Sequence, residues 1–302
     1  MELNNKILIA SPEQDYELID SGENVKLERF GSVVMARPDP QALWPTDTAG
    51  PEWNKAVARF SKDGSSEERG EWKFSTSVPE KWVIEYAGLK LQIKPTPFKH
   101  TGLFPEQIIN WKWSENLIKE RIASGAVDAP RPQVLNLFGY TGGASLIAAR
   151  AGAEVTHVDA SKAAITWANE NAELSGLSDK PIRWMLDDAA EFVKREIRRG
   201  KKYDAIIMDP PAFGRGAKGE LWKIEEAFLP FFKNCIELLS DNPLFVIVNG
   251  YSAGYSAIAY AQNLNPLVEK FGGEIEAGEL TIQETGPHKR LLPCGIVARW
   301  KR

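Results

Sequence analysis

The stretch from Val134 to Phe213 constrains this chain most, because short apolar runs alternate in it with helical patterns and the runs end on glycine or aspartate. Val134 to Phe138 leads into the turn Gly139-Tyr140-Thr141-Gly142-Gly143, and Ala144 to Ala151 then reads as a helix. Glu154 to Val158 is the second run, closed by Asp159. The helix from Lys162 to Leu174 that follows has Ser161 placed to cap it and Gly176 to stop it. After the third run, Ile182 to Leu186, Asp188 and Glu191 have the spacing of a capping box for a helix from Ala189 to Arg199. Ala205 to Met208 is the fourth run, Leu221 to Leu239 a long helix, and Leu244 to Val248 the fifth run. Such alternation predicts an α/β fold with a doubly wound, Rossmann-like parallel sheet. The end of the chain breaks the pattern: Glu279 to Glu284 and Gly295 to Trp300 flank a turn with Gly286 and Pro287, which reads as an antiparallel C-terminal hairpin.

Residues 1–97 read differently, as a small β-rich accessory region with short alternating stretches at Trp82 to Tyr86 and Leu89 to Ile93. Lys62 to Glu71 is polar and charged, the pattern of a mobile loop or hairpin tip. Residues 98–132 form a connecting segment, with apolar Ile108, Trp111, Leu117, Ile118 and Ile122 spaced for a helix over Gln107 to Ser124; residues 133–302 form the sheet domain. The tryptophans at 44, 53, 72 and 82 are expected in core packing, with a substrate mouth or a homodimer contact as alternatives. No apolar run is long enough to span a membrane and Met1 to Ala10 lacks the pattern of a signal peptide, so a cytoplasmic address is expected. The two cysteines, Cys235 and Cys294, lack metal-ligand spacing, and no metal site is expected. The net charge is −4, and residues 1–132 carry 17 basic against 20 acidic side chains, so any nucleic-acid contact has to be local.

In a doubly wound sheet ligands bind at the carboxyl ends of the strands where the strand order reverses, which sets the ends of the first and fourth strands side by side. The turn after the first strand allows close backbone approach at Gly139 and Gly142 and opens a helix whose N-terminus favours a carboxylate. The alternative is that these glycines only let strand and helix pack. A dinucleotide site wants glycine at 139, 141 and 144, and Thr141 and Ala144 occupy two of those places. Asp159 stands where a carboxylate accepts from two ribose hydroxyls, or else caps a helix. Asp188 can accept from an adenine amino group while the Ala189 backbone reads the ring, a role compatible with capping. Phe138, Gly139, Tyr140, Thr141, Gly142, Asp159, Ala160, Ser161, Asp188, Ala189 and Asp209 are therefore the expected site for S-adenosyl-L-methionine.

The expected chemical site is Asp209-Pro210-Pro211-Ala212-Phe213, with prolines that stiffen the loop and carbonyls free to accept from a substrate amine. Asp209 would accept from the attacking nitrogen and Phe213 stack a flat base; Asn249 is either a second polar contact or, with Gly250, a turn. Methyl transfer is an in-line displacement that asks the protein mainly to align and desolvate a lone pair, and it demands no metal.

Lys99 to Gln107, Leu135 to Gly143, Val158 to Lys162, Asn169 to Ala172, Asp188 and Asp209 to Phe213 together resemble the large-subunit ribosomal RNA methyltransferases related to the bacterial cytosine-C5 enzymes, a branch of class I methyltransferases. The resemblance covers roughly Pro97 to Arg302 and implies that Thr101, Phe104 and Gln107 also contact the cofactor. Ile108 stands where family members usually have arginine. Position 212 is alanine and Asn249 to Ser252 contains no cysteine, so the thiolate needed for C5 chemistry is missing from both expected places. Methylation of a base nitrogen in RNA, ribosomal RNA above all, is the expectation from kinship. The N-terminal RNA-binding domain of many relatives is not expected in residues 1–37. Arg215, Lys218, Lys223, His288, Lys289 and Arg290 are candidates to hold phosphates or to form a solvated rim. Lys194, Arg195, Arg198, Arg199, Lys201 and Lys202 read as a solvated helix end. The competing functions are methylation of a small molecule or protein amine, and a cofactor-binding scaffold without catalysis.

Overall fold

The computed structural model describes residues 4–46, 50–62, 70–125, 130–215, 221–251 and 254–302. The expected loop tip within Lys62 to Glu71 lies largely outside them. The chain divides into two compact units, one formed by Met1–Leu8, Ile109–Glu279 and Gly295–Arg302, the other by Ile9–Ile108 and Leu280–Cys294.

After β1 (Asn4–Ala10), the second of these units is built from β2 (Tyr16–Gly22), β3 (Val25–Phe30), β4 (Val33–Pro38), β5 (Ala58–Lys62) and β6 (Gly70–Phe74), hydrogen-bonded in sequence order, and from the hairpin β7 (Trp82–Tyr86) and β8 (Leu89–Ile93). Its interior is partly ionic. Glu28 is fully buried and accepts from Arg37 Nε at 2.5 Å and from the Tyr16 hydroxyl at 2.8 Å, while Lys26 pairs with Asp39 at 3.1 Å. Burial alone would raise the Glu28 carboxyl, but the charges of Arg37 and Lys26 outweigh it and hold the pKa at about 2. The four indole N–H groups are bound inside this unit: Trp44 to the Ser21 carbonyl, Trp53 to Asp20, Trp72 to the Thr96 carbonyl and Trp82 to the Phe30 carbonyl. The segment 280–294 belongs here because Thr285 N–H donates to the Leu18 carbonyl, Ser21 to Glu284, and Arg290 to both Glu284 and Asp20.

The other unit begins with α1 (Ile108–Ser124) and continues β9 (Gln133–Leu137), α2 (Gly143–Arg150), β10 (Glu154–Asp159), α3 (Lys162–Leu174), β11 (Ile182–Leu186), α4 (Ala189–Arg198) and β12 (Ala205–Met208). Ser161 caps α3 through Ala164 N–H and Asp188 caps α4 through Glu191 N–H, as their spacing predicts. Next come β13 (Phe213–Arg215), β14 (Leu221–Lys223), α5 (Ile224–Glu237), β15 (Phe245–Gly250), α6 (Ala257–Asn263), α7 (Asn265–Phe271), β16 (Glu274–Gln283) and β17 (Leu291–Lys301). The sheet order is β1-β16-β17-β15-β12-β9-β10-β11. β9 to β12 and β15 are parallel, with β9 between β10 and β12, so the order reverses at β9 and the ends of β9 and β12 are neighbours. β17 pairs antiparallel with β15, and β16 and β1 extend the sheet beyond it.

The parallel strands are apolar almost throughout because helices cover both faces. Leu135, Leu137, Ile206, Met208, Val246 and Val248 join Phe228, Phe231 and Phe232 of α5 in one buried cluster, each such side chain contributing roughly 1.5–3 kcal/mol. The expected long helix starting at Leu221 is a correction: Leu221–Lys223 is a strand paired with Phe213–Arg215, and the helix begins at Ile224. Apolar Leu221 and Trp222 continue the helical pattern on paper, but the backbone is extended at Lys223 (φ −128°, ψ 125°).

Candidate active site

Tight packing shapes the turn between β9 and α2. A Cβ on Gly139 would lie 2.4 Å from the His157 ring and one on Gly143 would lie 2.3 Å from the Trp111 ring. The space these two glycines leave is thus taken by the protein's own side chains, which is the strand-and-helix alternative. Backbone freedom is used at Gly142 (φ 88°), while Phe138 (φ 59°) and Tyr140 (φ 48°) adopt left-handed conformations without being glycine. What holds them is visible: Gly139 N–H donates to the Val158 carbonyl at 3.0 Å, Tyr140 N–H to Asp159 Oδ2 at 2.9 Å, and the fully buried Asn171 amide to the Thr141 carbonyl at 2.9 Å. Asn171 lies in the Asn169 to Ala172 motif, yet the sequence did not mark it as a site residue.

A cavity of about 370 Å³ opens at the carboxyl ends of these strands. Of the expected cofactor residues, Phe138, Asp159, Ala160, Ser161, Asp188, Ala189 and Asp209 line it. Gly139, Tyr140, Thr141 and Gly142 are not lining residues and contribute by forming the turn. Pro211 of the expected chemical site lines it too, and Asp187, Ala190, Gly214 and Trp222 also line it and were missed. Trp222 packs against Phe138 (5.5 Å between ring centroids) and Phe231 (5.4 Å) and donates through Nε1 to the Pro211 carbonyl at 2.6 Å.

That bond changes the reading of the proline loop. The Pro211 carbonyl is occupied by Trp222 and the Ala212 carbonyl by Ile224 N–H at 3.0 Å. Pro210 offers the carbonyl still without a partner among the described residues. Phe213 is 60% exposed.

The carboxylates differ in their partners. Asp159 accepts from Tyr140 N–H and, at 2.8 Å, from Ser161 N–H; burial raises its pKa against those two bonds. Asp188 accepts from Glu191 N–H at 3.0 Å and Asp187 pairs with Arg195. Asp209 meets no donor among the described residues, and burial pushes its pKa up to about 6. Asn249 is the last residue but one of β15 rather than part of a turn; its Oδ1 accepts from Asn110 at 2.9 Å, and it does not line the cavity.

Thr101, Phe104 and Gln107 belong to the other unit. Thr101 is fully buried with its hydroxyl unpartnered among the described residues, Phe104 packs on His100 at 5.5 Å, and Gln107 N–H donates to the Phe104 carbonyl. Of the basic candidates, Lys218 and the Arg215 side chain lie outside the described residues. Lys223 pairs with Glu226, Lys289 donates to the Thr285 carbonyl and Arg290 is committed to Glu284 and Asp20. In the cluster on α4, Lys194 pairs with Glu191, Arg195 with Asp187 and Arg199 with Glu196. Among the described residues no helix is long and apolar enough to cross a membrane.

This donor set fits a cofactor with a positive sulfonium, a ribose and an adenine: four carboxylates line one cavity. Comparison with known proteins agrees. The sequence profile of the S-adenosylmethionine-dependent methyltransferases matches residues 47–239. A crystal structure of a SAM-dependent methyltransferase from Agrobacterium tumefaciens superposes with a TM-score of 0.89 at 41% identity, over 99% of this chain and 96% of that one. The ribosomal RNA large subunit methyltransferase K/L of Shewanella baltica is 28% identical over 75% of this chain and 29% of its own length. The large subunit methyltransferase I of Aeromonas salmonicida is 34% identical over 52% of this chain and 37% of its own. The chain thus spans well under half the length of these two curated relatives. Kinship supports S-adenosyl-L-methionine as the cofactor, and the chain belongs to the S-adenosylmethionine-dependent methyltransferase family.

Proposed function

We propose that this enzyme methylates a base nitrogen in RNA, ribosomal RNA being the first candidate, and that it works in the cytoplasm. The observation that carries this reading is that the Asp209 carboxylate and the adjacent Pro210 carbonyl have no hydrogen-bond partner among the described residues, with the exposed ring of Phe213 three residues on. Two acceptors and a flat apolar face suit a planar heterocycle with an amino group. The bound cofactor supplies an electrophilic methyl carbon. Asp209 and Pro210 accept from the attacking amine and hold its lone pair in line, Phe213 stacks the ring, and Trp222 stiffens the loop that carries all three. Asp159 and Asp188 hold the ribose and adenine ends of the cofactor with Ala189, Ala160 and Ser161.

Thiolate chemistry at cytosine C5 is disfavoured on physical grounds. Cys235 and Cys294 are the chain's cysteines, both are buried, and burial pushes both thiols well above their ordinary pKa. The names of the relatives favour RNA. Methylation of a small molecule or protein amine is favoured instead by the internal commitment of Lys223, Lys289 and Arg290, which leaves fewer cations for a phosphate backbone. Calorimetry with S-adenosyl-L-methionine, followed by transfer of a labelled methyl group to total RNA from a strain lacking the gene, decides between them. Label in large-subunit RNA is expected. Cofactor binding without RNA labelling would shift the assignment to the amine reading.

A further inference from the structure

A second cavity, also of about 370 Å³, opens at the other end of the parallel sheet. It is lined where β9, β10 and β11 begin and where the chain enters β12, so it sits at the amino ends of the strands whose carboxyl ends carry the active site. Its floor is buried at Val155, Thr156 and Tyr203, and the Tyr203 hydroxyl donates to Glu196 at 2.8 Å. Its rim is cationic. Lys180 stands before β11, Arg183 on it, and Lys201 and Lys202 between α4 and β12. Against these four the lining has one carboxylate, Glu154, which accepts from Gln133 at 2.7 Å. In a chain of net charge −4 such an excess of positive charge is local.

The cations are open to a ligand. The Lys180 and Lys201 ammonium groups meet no partner among the described residues. Lys202 donates to the Glu237 carbonyl at 2.7 Å and keeps two further N–H groups. Arg183 reaches Glu196 at 3.5 Å, but that carboxylate already accepts from Tyr203 and, at 2.9 Å, from Arg199, and the guanidinium is steadied over the Phe192 ring at 5.7 Å. A solvated helix end spreads its charges over a convex surface. Here cations from two loops and a strand surround one hollow, where their mutual repulsion is relieved by an anion.

We infer that this cavity is an anion site that takes a phosphate of the RNA backbone. The RNA occupant rests on the proposed function; the anion chemistry does not. Among the described residues lining the cavity only Tyr203 is aromatic and its ring is buried, so recognition is of phosphate rather than of a stacked base and is independent of sequence. From Glu154 to Asp159, β10 spans about 16 Å, with this cavity at one end and the active site at the other. A polymer covers that distance and a small acceptor does not. The site supplies cations that Lys223, Lys289 and Arg290, committed to internal partners, do not.

The test compares the full chain with Lys180→Gln/Lys201→Gln and with Lys73→Gln/Lys94→Gln, which removes the same charge from exposed positions of the other unit. Binding of a fluorescein-labelled single-stranded oligoribonucleotide is followed by anisotropy between about 50 and 200 mM salt. The cavity variant is expected to bind about 10-fold more weakly and to lose about 1.4 from the slope of log K against log salt, two phosphate contacts at about 0.7 each. The control is expected to match wild type. In methyl transfer the cavity variant is expected to raise KM for RNA about 10-fold with kcat and cofactor affinity unchanged. Wild-type affinity and slope in the cavity variant, or an equal loss in the control, overturn the site, and continued transfer to RNA then leaves the proposed substrate standing. Inorganic tripolyphosphate, titrated by calorimetry, separates a free phosphate from RNA. If wild type binds it, the cavity variant does not and neither binds RNA, the anion site stands and its RNA occupant falls with the RNA reading. Binding of neither probe by wild type overturns the whole inference.

Discussion

Asp159 ends β10 and Asp209 directly follows β12, the two strands that flank β9; both line the same cavity, yet one accepts two backbone N–H groups and the other meets no donor among the described residues. Asp159 is gripped by two backbone N–H groups, which fix its orientation and tie it to the strained Tyr140. Asp209 is desolvated with no donor among the described residues to balance the cost. A carboxylate that is bonded on arrival serves as scaffold and holder; one left unbonded is a group kept ready for a partner that comes and goes.

The comparison breaks most directly by exchanging the two losses. Asp209→Ala is expected to lower the methyl-transfer rate by about 10²- to 10³-fold while leaving cofactor affinity nearly unchanged. Asp159→Ala is expected to weaken cofactor binding by about 10- to 100-fold, since it removes acceptors at the ribose and loosens the Tyr140 turn together. Calorimetry beside single-turnover rates separates these, and equal losses in both quantities for either variant would end the distinction.

A smaller effect tests whether the turn is set by packing. Gly139→Ala, whose methyl would strike the His157 ring, is expected to cost about 1–3 kcal/mol in urea unfolding. An unchanged midpoint would return Gly139 to a purely cofactor-facing role.

Asp209 also predicts a stability change with a definite sign. Its folded pKa is about 6, above the unfolded value, so the native state keeps a proton longer and stability falls as pH rises through that interval. The cost is absent below about pH 4 and complete above the folded pKa. Asp209→Asn is therefore expected to gain up to about 3 kcal/mol near pH 8 and nothing near pH 4, while losing turnover. A gain of equal size at both pH values would show that burial of charge is not its origin. Least in size, Trp222→Phe is expected to cost about 1 kcal/mol by freeing the Pro211 carbonyl and to slow transfer a few-fold.

Several features were legible because they are local. Ser161 and Asp188 cap the helices their spacing names, Asp159 closes β10 and Asp209 directly follows β12, where periodicity places them. The ribbon of β13 and β14 was not legible, since Leu221 and Trp222 fit a helical face until they are paired with Phe213–Arg215. Nor was the occupation of the Pro211 carbonyl, which depends on an indole eleven residues away. Asn249 shows the same limit: its residue type suits a substrate contact, but a partner on α1, 139 residues distant, takes its oxygen. Arg290 reads as a phosphate binder and is spent on Glu284 and on Asp20, 270 residues away.

Period, capping and turn chemistry act over a few residues, so the sequence by itself determined the alternating parallel sheet, its ligand-binding end and the aspartates stationed there. Which of those groups are satisfied was decided only in the tertiary structure, because a hydrogen bond or an ion pair is settled by atoms that folding brings together from distant parts of the chain. That is why Asp159 is held, Asn249 engaged and Arg290 neutralised, while Asp209 meets no donor among the described residues.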